Sequence, residues 1–466
     1  VRGEPLLRLG LEHVEIGAAQ MAGAQGVDHR GFIDNLAAAD VDQVARWPQV
    51  GQGRRVEQAG RLGGLRRGDD GEVAPGQQGA ELVDALDRVG DRGARLAGER
   101  DDQARSEVGQ GLVGQRCRAL DEALLDATEP HFDTLEMKGG GDAVSAARAV
   151  LQTGEYDYAW NLQVEDELLL RLEQGGKGKT TITPGGNIEF IQLNMADPWT
   201  EIEGERAHPK SKHPILSEMA VRQAISLVVD RDGVQKYIYG RTGIATSNFL
   251  NNPQRFVSKN TKFEFNVDKA NQVLEAAGWK KGADGIREKG GKKLKFVFQT
   301  SINGPRQKTQ QIIKQAAQKA GIDMELKSVP ASVYFSSDPA NPDTYTKFFA
   351  DIQMFTTTMP QPDPEVFMNQ YLTSQFATKA NKWLGRNSTR YSNPEYDKIY
   401  LAAQSEMDPV KRAAMFVKLN DMPVNDIAII PLIYRPRTAG VLNTLVAPLS
   451  GWDNDLWLLK DWYKTT

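Results

Sequence analysis

The chain has 466 residues, of which 40% are hydrophobic and 25% are charged. This length and composition indicate about three globular domains, and they exclude a disulfide-stapled miniprotein, a disordered chain and a membrane-spanning one. The formal charge of -4 and the single cysteine, Cys117, exclude a basic nucleic-acid surface, an internal disulfide and a thiolate metal cage.

The composition changes near Pro130. Residues 1–130 contain no lysine or tyrosine, carry all their basic charge as arginine, and hold 21 of the 44 glycines. Glycine at this density disfavours both helix and strand. One interpretation is a natural Arg/Gly-rich linker or domain. We favour the interpretation that this segment translates a GC-rich reading frame that was not selected to encode a fold. Lysine and tyrosine have AT-rich codons, so this interpretation also explains their absence. We therefore predict that residues 1–130 form an unrelated segment that packs poorly against the rest.

From residue 131 onward the pattern alternates between helix and strand. Helices are predicted where a capping residue precedes an apolar stripe and a glycine follows it, and strands where apolar residues alternate. In the first half these elements are a helix over 143–153 capped by Asp142, a strand over 155–161, a helix over 165–174, a strand over 188–194, a helix over 218–229 capped by Ser217, and a short helix from Asp230 to Tyr239.

The second half continues the same alternation. The predicted elements are a helix over 269–277 capped by Asp268, a strand over 293–300, a helix over 306–320, a strand over 323–329, a helix over 409–420 and a strand over 427–433. Strands that alternate with helices predict an α/β fold.

Several segments carry a family resemblance in their order and spacing. They are Gly141-Asp142-Ala143, Gly154-Glu155-Tyr156-Asp157-Tyr158-Ala159-Trp160-Asn161, Leu216-Ser217 with Val221-Arg222-Gln223-Ala224-Ile225-Ser226, Gly278-Trp279 with Asp284-Gly285-Ile286-Arg287, Gln361-Pro362-Asp363-Pro364, and Tyr391-Ser392-Asn393-Pro394-Glu395-Tyr396-Asp397. Together they resemble the extracytoplasmic solute-binding proteins, family 5, of peptide/nickel-type ABC transporters. The resemblance covers residues 131–466, whereas residues 1–130 resemble nothing in that family.

The resemblance implies a two-lobed periplasmic-binding-protein-like α/β fold of type II, in its large cluster. On the family pattern, residues 131–262 and 430–466 belong to the first lobe and residues 263–429 form the second. The N-terminal strands that the family places in its first lobe have no recognisable counterpart here, so we expect the first lobe to be incomplete.

Candidate ligand contacts of the first lobe follow a predicted strand. Tyr158, Trp160 and Asn161 offer aromatic faces and one amide, a combination that suits a ligand cleft. In the family this stretch lies near the cleft between the lobes. The alternative interpretation places the aromatic rings in the core and uses Asn161 to cap a turn.

A second group follows from a hydroxyl-rich turn. Thr356, Thr357 and Thr358 lie where family members contact ligand, and Asp363 is a candidate polar anchor. Peptide-binding relatives carry an acidic residue near the position of Pro360, and its absence weakens a peptide assignment. An aspartate between prolines is more often a helix or turn cap, so that interpretation of Asp363 stays open.

The last candidates lie nearer the C-terminus. Asn387 and Arg390 supply an amide and a guanidinium suited to carboxylate recognition, with a solvated surface as the alternative. Tyr434 and its neighbour Arg435 follow the last predicted strand, where the chain crosses between lobes. They fit either a cleft contact or a packed hinge.

The predicted function is the substrate-binding component of an ABC importer, which binds a small solute, peptide-like or other, and delivers it to the permease subunits. We predict a monomer without catalysis, cofactor, metal or nucleic-acid partner, because no catalytic or metal-ligand spacing occurs. The resemblance implies a periplasmic protein; without a recognisable export signal, the chain as written is expected to be cytoplasmic. The alternatives are a truncated, chimeric and non-functional relative, and an enzyme that uses the same cleft.

Overall fold

The computed structural model describes residues 6–12, 115–118, 131–452 and 455–465. Its longer strands are β1 (Leu6–Glu12), β2 (Gln115–Arg118), β3 (Thr134–Gly141), β4 (Tyr158–Trp160), β5 (Gly178–Leu193), β12 (Lys295–Ser301), β13 (Asp323–Val329), β14 (Ile352–Thr358) and β15 (Ile429–Leu442). Short strands are β6 (Glu201–Ile202), β7 (Glu205–Arg206), β8 (Ile244–Ala245), β9 (Lys280–Lys281), β10 (Arg287–Lys289), β11 (Lys292–Lys293), β16 (Leu445–Val446) and β17 (Tyr463–Lys464).

The α-helices are α1 (Ala143–Leu151), α2 (Asp166–Glu173), α3 (Met219–Leu227), α4 (Arg231–Val234), α5 (Val267–Ala276), α6 (Gly304–Lys319), α7 (Ala331–Tyr334), α8 (Glu365–Met368), α9 (Pro394–Ser405) and α10 (Pro409–Asn425). A π-helical turn continues α4 over Gln235–Tyr239, and 3₁₀ turns cover Gly240–Thr242, Gln254–Phe256, Asn369–Tyr371, Thr373–Gln375, Lys379–Asn381 and Asp455–Asp461.

One mixed sheet runs through the molecule in the order β13-β12-β14-β5-β15-β4-β1-β3-β2, and β8 pairs with β15 beside this path. Strand β12 is parallel to β13 and β14, whereas β5 is antiparallel to both β14 and β15. Parallel strands joined by helices give the α/β architecture that the alternating pattern predicted.

Strands β1 and β2 come from residues 1–130, the segment that we predicted to pack poorly against the rest. β1 lies between β3 and β4, parallel to both, and β2 is antiparallel to β3. The β1 sequence is rich in leucine and holds a single glycine, so its backbone is locally suited to pairing although the surrounding segment is glycine-rich. The remainder of residues 1–130, and with it our prediction of poor packing, lies outside the described residues.

Four apolar clusters divide the described residues into two lobes. In the second lobe, one cluster joins Ile191 and helix α3 to Trp279, and another joins Phe190 to Phe355 on the opposite face of the sheet. The two clusters of the first lobe surround Trp462 and helix α1. We predicted that the second lobe begins at residue 263. The packing draws residues 187–256 into the second-lobe cores as well, because β5 supplies side chains to both of them.

Helix boundaries follow capping chemistry, with a few differences from prediction. Asp142 caps α1 by accepting a hydrogen bond from the Ser145 N–H at 2.9 Å. Helix α5 begins two residues earlier than predicted because Asn266, not Asp268, accepts from the Lys269 N–H at 2.9 Å. Helix α3 begins after Glu218, which makes no side-chain cap, so the predicted role of Ser217 is wrong.

A buried histidine ties the segment before helix α3 to Asp351, the residue before strand β14. His213 is 1% exposed, and its Nδ1 accepts hydrogen bonds from the N–H groups of Ile215 and Leu216 at 3.1 and 2.9 Å. Its Nε2 therefore carries the hydrogen and donates to Asp351 Oδ1 at 2.9 Å.

Replacing His213 with leucine removes all three hydrogen bonds while keeping a buried side chain of comparable size. We expect the free energy of unfolding to fall by about 1–3 kcal/mol, the cost of leaving buried polar groups unpaired. Urea denaturation monitored by circular dichroism measures the change. An unchanged midpoint would show that these bonds contribute nothing net.

Candidate functional site

Strands β5 and β15 cross together from one lobe to the other. Their pairing in the first lobe runs from Gly178–Leu442 to Thr183–Arg437, and it resumes in the second lobe at Asn187–Arg435. The crossing contains Gly185 and Gly186. A Cβ atom on Gly186 would lie 2.2 Å from the Met359 carbonyl oxygen, so only glycine fits this close approach. Polar side chains gather next to this crossing.

The arginine cluster, formed by Glu189, Arg306, Thr356 and Arg435, is buried beside the crossing. Arg306 Nε donates to Glu189 Oε1 at 2.8 Å, and Arg306 Nη1 donates to Ser301 Oγ at 2.8 Å. The Thr356 hydroxyl donates to Glu189 and accepts from Arg306 Nη2 at 3.0 Å and from Arg435 Nη1 at 2.7 Å. Arg435 Nη1 also lies 3.8 Å from Glu189 Oε2.

Two guanidiniums lie beside one carboxylate in this cluster. The carboxylate of Glu189 pairs with Arg306 at 2.8 Å and lies 3.8 Å from the Arg435 guanidinium. Glu189 and Arg306 have no exposed surface and Arg435 is 3% exposed. Charges buried this deeply are tolerated only with ion pairs and hydrogen bonds, and this cluster supplies both.

A row of three polar residues crosses the sheet beside the cluster. Asn187 pairs with Thr358 on one side and with Arg435 on the other. Residues directly opposite one another share a face of the sheet, and so do residues two apart in a strand. Asn187, Thr358 and Arg435 therefore lie on the face that carries Glu189 and Thr356.

Side chains of the two lobes meet directly near the start of helix α6. Asn303 Nδ2 donates to Gln163 Oε1 at 3.1 Å, and Lys308 Nζ lies 2.6 Å from Glu165 Oε1. Gln163 and Glu165 belong to the connection from β4 to α2 in the first lobe, whereas Asn303 caps α6 in the second. These contacts hold the lobes together on the side of the arginine cluster.

A further ion pair joins the lobes. Arg241 follows the second-lobe residue Tyr239, and its Nε lies 2.7 Å from Asp166 Oδ1 while its Nη2 lies 2.7 Å from Glu173 Oε2, both on α2. Burial alone would lower the pKa of Arg241, but its hydrogen bonds to the two carboxylates raise it above its ordinary value. Arg241 therefore stays charged in this contact.

The three first-lobe candidates occupy different environments. Tyr158 has no exposed surface and its ring lies 4.9 Å from that of Trp462, so in this structure Tyr158 is a core residue that offers no face to a ligand. Trp160 is half-buried and packs on the same core. Asn161 is half-buried with φ 50°, the left-handed conformation of a chain turning out of β4. Trp160 and Asn161 thus come just before Gln163 in the chain, the residue that contacts the second lobe.

The three threonines do not form the predicted turn. They are the last residues of β14, which the sequence did not predict. Thr356 and Thr358 lie on the polar face described above. Thr357 pairs with Ile188 and lies on the opposite face. The structure therefore brings two of the three threonines to the arginine cluster.

Tyr434 packs against the crossing itself. Its hydroxyl donates to the Gly185 carbonyl oxygen at 3.1 Å and accepts from the Gly185 N–H at 3.2 Å. Burial raises the pKa of Tyr434. Because its hydroxyl is hydrogen-bonded to the backbone of the crossing, Tyr434 fits the interpretation of a packed hinge.

Asn387 and Arg390 lie in a buried loop outside the cluster. The Asn387 Nδ2 donates to the carbonyl oxygens of Leu372 and Tyr391, each at 2.9 Å. Arg390 donates to the carbonyl oxygens of Ser388, Lys347 and Ala377. Burial lowers the pKa of Arg390 to about 10. Both side chains hold the loop together. Both are buried, so neither lies on a solvated surface as the alternative interpretation expected.

Asp363 caps the start of helix α8. It accepts from the Glu365 N–H at 2.9 Å and pairs with Arg412. Burial alone would raise the pKa of Asp363, but the hydrogen bonds from Arg412 and Glu365 lower it below its ordinary value. Asp363 therefore fits the alternative interpretation, in which it caps a helix or a turn.

Asp363 gives a pH-dependent prediction. Because its folded pKa is lowered, the stabilisation is present above the pKa of the unfolded chain and is lost as the pH falls through the folded pKa. We expect Asp363→Asn to be less stable than the wild type by up to about 1 kcal/mol at pH 7, and the difference to shrink as the pH falls below the ordinary pKa of an aspartate. Urea denaturation at neutral and at acid pH measures the difference, and a gap that persists unchanged in acid would contradict this account.

Sequence reasoning missed Glu189, Arg306 and Asn187 as site residues. The signal for Glu189 was present, because a charged residue at a buried position of an apolar strand needs a partner. Its partner Arg306 lies 117 residues away, and nothing local in the sequence connects the two.

Neither a metal cage nor a membrane helix is found in the described residues. Among residues 131–452, 455–465 and the two N-terminal strands, no group of three or more His, Cys, Asp or Glu side chains is placed to hold a metal ion. In that same part of the chain, no helix is long and apolar enough to cross a bilayer.

The family model of bacterial extracellular solute-binding proteins, family 5 Middle, matches residues 122–379, which is more than half of the chain. The oligopeptide-binding protein AppA of Bacillus subtilis is 25% identical over 285 residues, covering 60% of this chain and 46% of that protein. The di/tripeptide-binding protein 3 of Pseudomonas aeruginosa is 22% identical over 324 residues, covering 68% and 54%. The chain thus spans about half the length of these curated relatives.

Solved structures show the same fold. AppA from Bacillus subtilis in complex with a nonapeptide has a TM-score of 0.65 at 17% identity, covering 99% of this chain and 100% of that one. NikZ from Campylobacter jejuni in complex with Ni(L-His) has a TM-score of 0.60 at 20% identity, covering 76% and 66%. The predicted family resemblance and the two-lobed α/β fold are confirmed.

Proposed function

The chain belongs to the bacterial extracellular solute-binding proteins of family 5, and from this premise we propose that it binds a small solute between its two lobes. It then presents the closed, loaded form to the permease of an ABC importer, acting outside the cytoplasmic membrane as a monomer and without turnover. The observation that carries the proposal is the crossing of β5 and β15, with a buried polar cluster of two arginines and a glutamate beside it and direct contacts between the lobes.

The geometry suits binding by closure. When the lobes separate, the contacts of Asn303 with Gln163 and of Lys308 with Glu165 break, and the face with Thr358 and Asn187 becomes accessible. A solute that contacts both lobes shifts the population toward the closed form. Closing removes water from the site, which strengthens the hydrogen bonds to the solute.

The relatives bind peptides in some cases and a nickel–histidine complex in others. We propose that the solute of this chain is of comparable size, a short peptide, an amino-acid-like compound or a complex of one. The acidic side chain expected near Pro360 for gripping a peptide ammonium is absent from this sequence.

Thermal unfolding against a panel of amino acids, di- to pentapeptides, sugars and nickel–histidine tests the proposal. A solute at 100 times its Kd stabilises the folded state by about 2.7 kcal/mol, enough for a clear rise in melting temperature. If no member of the panel raises it, the proposal of a solute-binding protein fails. Mass spectrometry of the stabilising solute after prolonged incubation tests turnover, and a converted solute would favour the enzyme alternative.

A matched pair of variants then locates the site. Asn303→Ala removes a contact between the lobes and is expected to weaken binding of the stabilising solute about fivefold, corresponding to one hydrogen bond of about 1 kcal/mol. Lys418→Ala removes an exposed pair with Glu395 in the second lobe and is expected to leave binding unchanged. Equal affinities for the two variants would place the solute elsewhere.

A further inference from the structure

Helix α2 of the first lobe presents an acidic face to the second lobe. Asp166 and Glu173 are its first and last residues, and Glu165 is its N-cap residue. All three carboxylates pair with bases across the interface, Glu165 with Lys308 and the other two with Arg241. The three acidic side chains are only 11% to 19% exposed, so the acidic half of each pair is shielded from water.

Glu165 is held by the start of helix α6. Its Oε1 lies 2.6 Å from Lys308 Nζ, and a Cβ atom on Gly304, the first residue of α6, would lie 3.2 Å from the same oxygen. The carboxylate therefore lies beside the N-terminus of a 16-residue helix, where unpaired backbone N–H groups concentrate positive charge. The charge of Lys308 and the helix terminus both attract this carboxylate across the interface.

Arg241 bridges the two ends of the same helix face. Besides the side-chain contacts with Asp166 and Glu173, its backbone N–H donates to Asp166 Oδ2 at 3.0 Å. Gly240 before it has φ 49°, the left-handed conformation that favours glycine, and a Cβ atom there would lie 2.3 Å from the same oxygen. Burial alone would raise the pKa of Glu173, but the hydrogen bonds from Thr180 and Arg241 lower it. Glu173 therefore stays charged at neutral pH, as Arg241 does.

We propose that these three ion pairs, of Glu165 with Lys308 and of Asp166 and Glu173 with Arg241, form an electrostatic latch that keeps part of the solute-free population closed. The latch acts on closure and not on the solute, so Arg241 and Lys308 are positioning residues. This inference rests on the proposed closure and adds a regulation of it by salt. The basic side chains are 36% and 64% exposed, so ions reach the pairs, screen them and shift the lobes toward the open form.

The latch affects binding in a way that does not depend on the chemistry of the solute. A bound solute leaves only after the lobes separate, and opening breaks the three pairs whatever solute the site holds. Salt, or a variant that weakens the latch, therefore speeds the release of every solute by the same factor. A residue that contacts the solute acts on some solutes more than on others.

Distances measured in the solute-free chain test the latch directly. Spin labels at Gln152 in the first lobe and Leu401 in the second, both exposed and outside the latch, are attached in a Cys117→Ser background. Pulsed electron paramagnetic resonance measures their distance in about 0.01 M NaCl, where charges interact over about 30 Å, and in about 1 M NaCl, where they interact over about 3 Å. We expect a closed and an open population in low salt, and we expect the closed-to-open ratio to fall about two- to fivefold for each pair that salt screens.

A charge swap assigns the effect to one pair. Lys308→Glu replaces an attraction with a repulsion, and we expect it to lower the closed-to-open ratio about three- to tenfold in low salt. Adding Glu165→Lys restores an attraction of opposite polarity and is expected to recover most of the closed population. Arg241→Gln is expected to lower the ratio and to reduce its dependence on salt. Lys418→Glu is the matched control, because it reverses a charge in an exposed pair with Glu395 inside the second lobe, and it is expected to leave the ratio unchanged.

The outcomes separate the latch from the function beneath it. A solute-free distance distribution that is the same in low and high salt, or a Lys308→Glu variant that keeps the wild-type distribution, overturns the latch. So does a double swap that stays as open as Lys308→Glu alone, because the effect then does not come from this pair. None of these results depends on a solute. A panel of solutes without a binder therefore overturns the proposed function, while the solute-free distances still decide the latch.

Discussion

Glu189→Gln is expected to lower the free energy of unfolding by about 3–5 kcal/mol, the cost of breaking a fully buried ion pair. The carboxylate lies 2.8 Å from Arg306 Nε and 3.8 Å from Arg435 Nη1, and removing its charge takes this pairing from two buried guanidiniums. Urea denaturation at neutral pH measures the loss, which is a large part of the stability of an ordinary domain.

The control for this prediction is Arg435→Gln. It removes the more distant guanidinium and keeps the close ion pair between Glu189 and Arg306, so it should be clearly less destabilising than Glu189→Gln. If the two variants unfold at the same urea concentration, the Glu189–Arg306 pair does not contribute the stability assigned to it.

Trp462→Ala is expected to have a second large effect, a loss of about 3–5 kcal/mol, because it opens a cavity in the first-lobe core. Trp462 has no exposed surface, its Nε1 donates to the Pro448 carbonyl oxygen at 3.0 Å, and its ring packs on Tyr158. Thermal unfolding followed in the near-ultraviolet circular dichroism spectrum reports the change.

This variant also decides the role of Tyr158. If Tyr158 is a core residue, Trp462→Ala lowers stability and leaves solute affinity unchanged once the protein is held well below its melting temperature. A variant that unfolds like the wild type but binds solute more weakly would indicate that Tyr158 lines the cleft.

Much of the fold was predictable because its signals are local. The cap of α1 at Asp142, the strand over 323–329 and the glycine after Tyr239 depend on neighbouring residues, and the structure has each of them. Strand β14 was missed because its polar sequence, Ile352–Thr358, lacks apolar alternation. It is held by its neighbours β5 and β12.

The lobe boundary was not predictable from the same signals. Strand β5 spans the crossing, and its second half is fixed in the second lobe by pairing with β14, more than 150 residues later. Periodicity indicates that a strand exists at 188–194 but does not indicate which core it joins. The family pattern places residues 131–262 in the first lobe, and that boundary stays a prediction; the apolar side chains of β5 pack in the same clusters as Trp279 and Phe355.

The candidate site was predictable only in part. Thr356 and Thr358 were identified by the resemblance and lie beside the arginine cluster. Asn387 and Arg390 were chosen for their residue types. The Asn387 amide and the two Nη atoms of Arg390 donate to backbone carbonyl oxygens of the protein itself. The type of a polar residue shows what it is able to bind, but whether it is already paired depends on tertiary contacts.

The central claim is that a solute is held between the two lobes, and the distance between the lobes tests it most directly. Spin labels at Leu170 on α2 and Leu401 on α9, which are 48% and 62% exposed, report on one lobe each in a Cys117→Ser background. Pulsed electron paramagnetic resonance then measures the label-to-label distance with and without a saturating amount of the solute that stabilises the protein most. The account predicts a distribution that shifts and narrows to a single closed population when solute is added. A solute that binds fully while the distance distribution stays unchanged would contradict it.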